Sequence, residues 1–162
     1  MVSPRVAALV FVSCAVPPDG ASVMGAAEPD IRGLGERSRD RARDPDVGNG
    51  SSLDEDTVRR MFCNDMTEDQ TRFVLDHLNA EAPGIVWEPV SRGGVPSSIP
   101  KTWIRLLRDQ ALPPSVQDDF VRNLEAVPGG PVEVVDLDAG HDAMISRPQE
   151  LAALIDGVAA RS

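Results

Sequence analysis

Two residues have the types needed to move a proton between them. Asp109 stands in Arg108-Asp109-Gln110-Ala111-Leu112-Pro113, and His141 in Asp138-Ala139-Gly140-His141-Asp142-Ala143-Met144, each just after an apolar stretch. A carboxylate that accepts the Nδ1 proton of a histidine fixes the tautomer of the ring and stabilises the imidazolium. Asp109 and His141 therefore have the chemistry of the acid and base half of a nucleophilic triad, provided the fold brings them together. On residue types alone a histidine in a glycine-flanked turn serves equally well as a structural loop residue, so both readings stand at this point. The other histidine, His77, falls within a helical pattern and is expected to be a packing or surface residue.

The elements that would position the pair follow from periodicity. Residues 102–107 and 132–137 are rich in β-formers and read as strands. In an α/β sheet the loops beyond the carboxyl ends of strands form the crevice where chemistry is done. Between these strands, Pro113-Pro114 opens a helix with Val116, Phe120, Val121 and Leu124 on one side, and Gly129-Gly130 punctuates the return. Ser146 with Gln149 has the spacing of a capping box ahead of a last helix carrying Leu151, Leu154, Ile155 and Val158. Upstream, residues 6–16 are almost continuously apolar, as in a central strand buried on both faces. Two further boxes, Ser52 with Glu55 and Thr67 with Gln70, predict two short helices, with Val58, Met61 and Phe62 on one face of the first and Phe73, Val74 and Leu78 along the second. The charge-dense stretch around residues 28–50 reads as a mobile, solvated segment. A helical pair preceded by such a loop has the character of a lid or cap.

Composition excludes several classes of function. Of the 162 residues 41% are hydrophobic, enough for one domain or part of one. With 16 Lys and Arg against 26 Asp and Glu, the net charge of -10 repels nucleic-acid phosphates and anionic membranes, so neither is an expected partner. Arg5 followed by the apolar run to Val16 imitates a secretory signal peptide, but the run is β-rich and continues into the turn Pro18-Asp19-Gly20; a cytoplasmic location is expected, with secretion as the alternative. The run is too short to span a membrane as a helix. Cys14 and Cys63 form no metal or disulfide motif, and Cys14 reads as a small hydrophobe. Gly93-Gly94 and Gly129-Gly130 lack the companions of a phosphate-binding loop and read as turns, so no metal or organic cofactor is expected. Trp87 and Trp103 read as packing residues, and Met144 as either packing or pocket lining.

Residues 96–105, 109–113 and 138–148 resemble the closing strands and loops of α/β-hydrolases, in the branch of plant methylesterases and hydroxynitrile lyases with their bacterial esterase-like relatives. Residues 6–12, running into Val16-Pro17-Pro18-Asp19-Gly20, are similar to the strand that follows the nucleophile helix in that family. The resemblance implies the C-terminal part of an α/β-hydrolase fold: about three parallel strands with flanking helices, residues 1–20 and 96–162 forming a partial core and residues 21–95 a cap insertion. It places Asp109 at the triad acid and His141 at the general base, and implies a small ester-like substrate. The family's G-x-S-x-G nucleophile elbow has no counterpart in these 162 residues. Ser13, Ser97, Ser98 and Ser146 are the substitutes to place, with Ser13 expected inside a strand. The chain alone is therefore expected to be inactive, either as a truncated or mis-started hydrolase whose serine lies elsewhere or as a remnant that binds small ligands. Its apolar first strand would present a sheet edge prone to self-association.

Overall fold

A computed structural model describes residues 6–27, 32–33, 35–36, 53–78 and 84–161. Three parallel strands form its sheet in the order β1 (Leu9–Phe11), β2 (Lys101–Leu106), β3 (Val132–Leu137). Register runs from Leu9 opposite Lys101 to Phe11 opposite Trp103, and from Lys101 opposite Val132 to Leu106 opposite Leu137. The second strand begins one residue earlier than periodicity predicts, and the third falls where expected.

Side chains alternate across β2 and build two layers. Ile104 and Leu106 face the helices α5 (Ala143–Ser146) and α6 (Pro148–Ala159), joining Leu137, Ala139, Ala143 and Leu151 in one core. Trp103 faces the opposite way into a second core with Val16, Val121 and Leu124, the last two from α4 (Pro114–Leu124). Full burial of such side chains contributes about 1.5–3 kcal/mol each, so β2 is the element to which both layers are fastened. The apolar run of residues 6–16 does not form one long strand buried on both faces. β1 is only three residues long, sits at the edge of the described sheet, and leaves its side chains half-exposed because β2 is its one neighbour there.

A short helix α1 (Val23–Ala26) follows β1, and then α2 (Glu55–Met61) and α3 (Glu68–His77) form a helical pair with a core of its own. Val58, Cys63 and Val74 are its buried members, and Ile145 of α5 ties it to the sheet layers. The Thr67 and Gln70 box forms with both reciprocal bonds. For α2 the cap is Asp54, whose carboxylate accepts from Thr57 N–H at 2.9 Å, so the helix starts two residues later than a Ser52 box requires; Ser52 lies outside the described residues. The Ser146 and Gln149 box does not form. Arg147 takes the cap position of α6, Pro148 starts the helix, and Ser146 closes α5 with a buried hydroxyl that has no hydrogen-bond partner among the described residues. Phe73 at 50% and Ile155 at 40% exposure face outward, where helical period had suggested burial. Most of the charged stretch at residues 28–50 lies outside the described residues.

The return from α4 to β3 passes Gly129 and Gly130 at φ of 92° and 83°, a left-handed backbone that glycine adopts without strain. This is the turn the sequence predicts there.

Candidate active site

Hydrogen bonding between β2 and β3 continues past their carboxyl ends and sets the two chemistry-bearing loops side by side. Leu107 N–H donates to Leu137 O and Arg108 N–H to Ala139 O, both at 3.0 Å. The loop after β2 is further fixed by Gln117, buried on the inner face of α4. Its amide oxygen accepts from Leu106 N–H at 2.9 Å and Trp103 Nε1–H at 3.3 Å, and its nitrogen donates to Leu106 O at 2.9 Å and Leu112 O at 2.8 Å. Sequence reasoning missed this residue. The available signal was a glutamine four and seven residues ahead of Val121 and Leu124, on a stripe that should be apolar.

Asp109 is 1% exposed. One carboxylate oxygen accepts from the N–H groups of Ala111 and Leu112, each at 2.8 Å. The other lies 2.9 Å from His141 Nδ1, and because a carboxylate only accepts, Nδ1 carries the proton. The His141 side chain is 14% exposed, its ring meets the edge of Phe62 at 5.1 Å and 75°, and Nε2 has no partner among the described residues. A histidine so held presents a basic nitrogen at the carboxyl end of the sheet, oriented by a carboxylate that is itself held by two amides. The next residue, Asp142, has its carboxyl pushed up by burial, with Asp109 and Asp65 adding to the rise and His141 opposing it.

None of the candidate serines presents its hydroxyl to the ring. Ser13 lies beyond β1 and not within it, at φ of 48°, and its hydroxyl donates to the backbone carbonyl of His141. Ser97 and Ser98 precede β2, at the end of the sheet remote from Asp109, and Ser146 is buried at the end of α5. Met144 is half-exposed on α5. His77 closes α3, stacked on Phe73 at 4.2 Å. Trp103 is core, its indole bound to Gln117, while Trp87 ends a single 3-10 turn, Ile85–Trp87. Burial pushes the Cys14 thiol up to about 11, which suits a small hydrophobe and not a nucleophile. Among the described residues no group of three His, Cys, Asp or Glu side chains is arranged to hold a metal ion, and no helix is long and apolar enough to cross a membrane.

No protein-family model matches the chain, and no curated protein matches it. Among solved structures it is similar to the pyrethroid hydrolase PytH at 24% identity and a TM-score of 0.65, over 96% of this chain and 62% of that one. A pyrethroid hydrolase from Sphingobium faniae JZ-2 matches at 24% identity and a TM-score of 0.57, over 95% and 61%. An extracellular α/β-hydrolase from a Paenibacillus species, described as sharing structural and functional homology with tobacco salicylic acid binding protein 2, matches at 19% identity and a TM-score of 0.70, over 93% and 61%. The chain thus spans less than two thirds of the length of these structures, and over that span it has the α/β-hydrolase fold.

Proposed function

We propose that this chain supplies the acid and base half of an esterase-like α/β-hydrolase, with the nucleophilic serine carried by polypeptide outside these 162 residues. The observation that carries the proposal is the 2.9 Å contact between Asp109 and His141 Nδ1, at the carboxyl end of a parallel sheet. Asp109 orients the ring. His141 Nε2 takes the serine proton as the serine oxygen attacks the carbonyl carbon of a small ester, and returns it to the departing alkoxide. The acyl-serine is then hydrolysed by a water that His141 deprotonates, releasing acid and free serine. Among the described residues the β1 edge has no further strand beside it and offers its backbone groups to one, the place where serine-bearing polypeptide would join; left open, the same edge favours pairing with a second copy. The hydroxyl of Ser13 is spent on a backbone carbonyl, which favours an inactive chain when it stands alone.

The test uses the full chain with an activated nitrophenyl ester, alone and mixed with a separately expressed N-terminal segment of one of the similar hydrolases bearing its G-x-S-x-G elbow. The chain alone should give no burst of product, and the mixture should give turnover that His141→Ala abolishes. Robust turnover by the chain alone, or turnover in the mixture indifferent to His141, overturns the proposal.

A further inference from the structure

The turn between α2 and α3, together with the first turn of α3, grips both loops of the candidate site. Phe62 sets its ring against His141, Asn64 Nδ2 donates to Arg108 O at 2.8 Å beside Asp109, and Gln70 Nε2 donates to Ile145 O at 2.8 Å just beyond His141. Three contacts of this kind are enough to hold the loops. Asp65, in the same turn, makes no such contact. Both of its carboxyl oxygens are buried and have no hydrogen-bond partner among the described residues. They lie against the backbone just before the histidine: a Cβ on Gly140 would meet Asp65 Oδ1 at 2.5 Å, Asn64 Oδ1 at 2.8 Å and Asp65 Cγ at 3.0 Å. Gly140 is therefore the residue that lets the carboxyl approach.

A buried carboxylate without a donor is costly, and an asparagine or a leucine would fill the same space more cheaply. Groups kept at such a cost tend to act through their charge, and here the charge sits against the residue just before an imidazole that becomes positive when it accepts a proton. The field of Asp65 already registers one residue further on, where it adds to the rise of the Asp142 carboxyl. We infer that Asp65 is a positioning residue for His141, a negative charge held against the Gly140 turn by the α2 and α3 pair so that its field favours the protonated ring. The acidic groups at the histidine turn then come from three elements: Asp109 from the loop after β2, Asp142 from the turn itself, and Asp65 from the segment between α2 and α3. This deepens, and rests on, the reading of His141 as a base.

The full chain carrying Asp65→Asn tests it through two measurements that need no substrate: the melting temperature at neutral pH and the low-field proton resonance of His141 Nδ1–H. Removing an unpartnered charge should raise the melting temperature, and removing its field should move the resonance. A structural Asp65 gives the reverse pattern, with a lower melting temperature and an unmoved resonance. Either one of those two results, including failure of the variant to fold, overturns the inference. A second variant, Gly140→Ala, leaves the charge in place but pushes the carboxyl off the turn, and should also move the resonance; an unmoved resonance there overturns it too. Because the readout is the histidine ring, the inference can fail while ester turnover stands, and ester turnover can fail while the inference stands.

Discussion

Asp109→Asn is the substitution whose consequences the structure specifies most closely. Asparagine keeps the size of the side chain and one acceptor oxygen, so the 2.8 Å bonds from Ala111 and Leu112 N–H persist. The other position becomes an NH2 facing Nδ1, and since two donors cannot share a hydrogen bond, the imidazole must move its proton to Nε2. Each of the three bonds that Asp109 accepts also loses the help of the charge, a difference of roughly 1 kcal/mol per bond between charged and neutral acceptors. Asparagine loses less than a carboxylate does on burial, which reduces the total to about 2 kcal/mol. In a chain of this size that lowers the melting temperature by ~4–8 °C. Thermal unfolding followed by circular dichroism reads the shift, and long-range proton–nitrogen correlation spectra of His141 read which nitrogen carries the proton. In a complex that restores ester turnover, the wrong tautomer should cost on the order of 10⁴ in kcat. An asparagine variant that melts with the parent and still holds its proton on Nδ1 would show that the contact contributes neither stability nor orientation.

Asp142→Asn should stabilise the chain at neutral pH. Burial raises the Asp142 carboxyl in the folded state, so the folded protein binds a proton more tightly than the unfolded one. The stability this gives is complete below the ordinary carboxylate range and is lost as pH rises through the raised value. The asparagine variant should therefore melt higher at neutral pH and lose that part of the pH dependence; a lower melting temperature at neutral pH refutes it. For Cys14, held up to about 11 by burial, reaction with a thiol reagent at pH 8 should be on the order of 100-fold slower in the folded chain than in urea, and comparable rates would contradict the burial.

The sequence showed the strand exits, the neighbouring Asp109 and His141 loops and the Thr67 box because each is written locally: a β-rich run that ends in a polar loop, or a hydroxyl three residues ahead of a glutamine. What it hid depends on partners distant in the chain. Residues 6–16 are apolar enough for a long buried strand, yet only Leu9–Phe11 pair: β2 runs on to Leu106, but the chain turns out of the extended conformation at Ser13, whose φ is 48°. Ser146 has the spacing of a cap, but Pro148 starts the helix one residue too late for the box to close. Asp65 looks like any acidic residue in a polar turn, and its burial becomes visible only when Gly140, 75 positions away, is laid against it.

The same distinction bears on what the chain can do by itself. Among the described residues, most bonds that hold the Asp109 and His141 pair come from β2, β3, α4 and the α2 and α3 pair: the amides of Ala111 and Leu112, the Gln117 bridge, the backbone bonds from Leu107 and Arg108, and the Asn64 and Gln70 contacts. From the β1 side the histidine loop receives the hydroxyl of Ser13, on its backbone carbonyl and not on its ring. The Asp109 and His141 contact is thus assembled on one side of the sheet, and the β1 edge, where the proposed function has a nucleophile arrive, lies on the other. On the proposed function, a serine brought to the β1 edge would meet an imidazole with its proton already on Nδ1, so its arrival would need to supply the nucleophile and the donors for the oxyanion, but no change of tautomer.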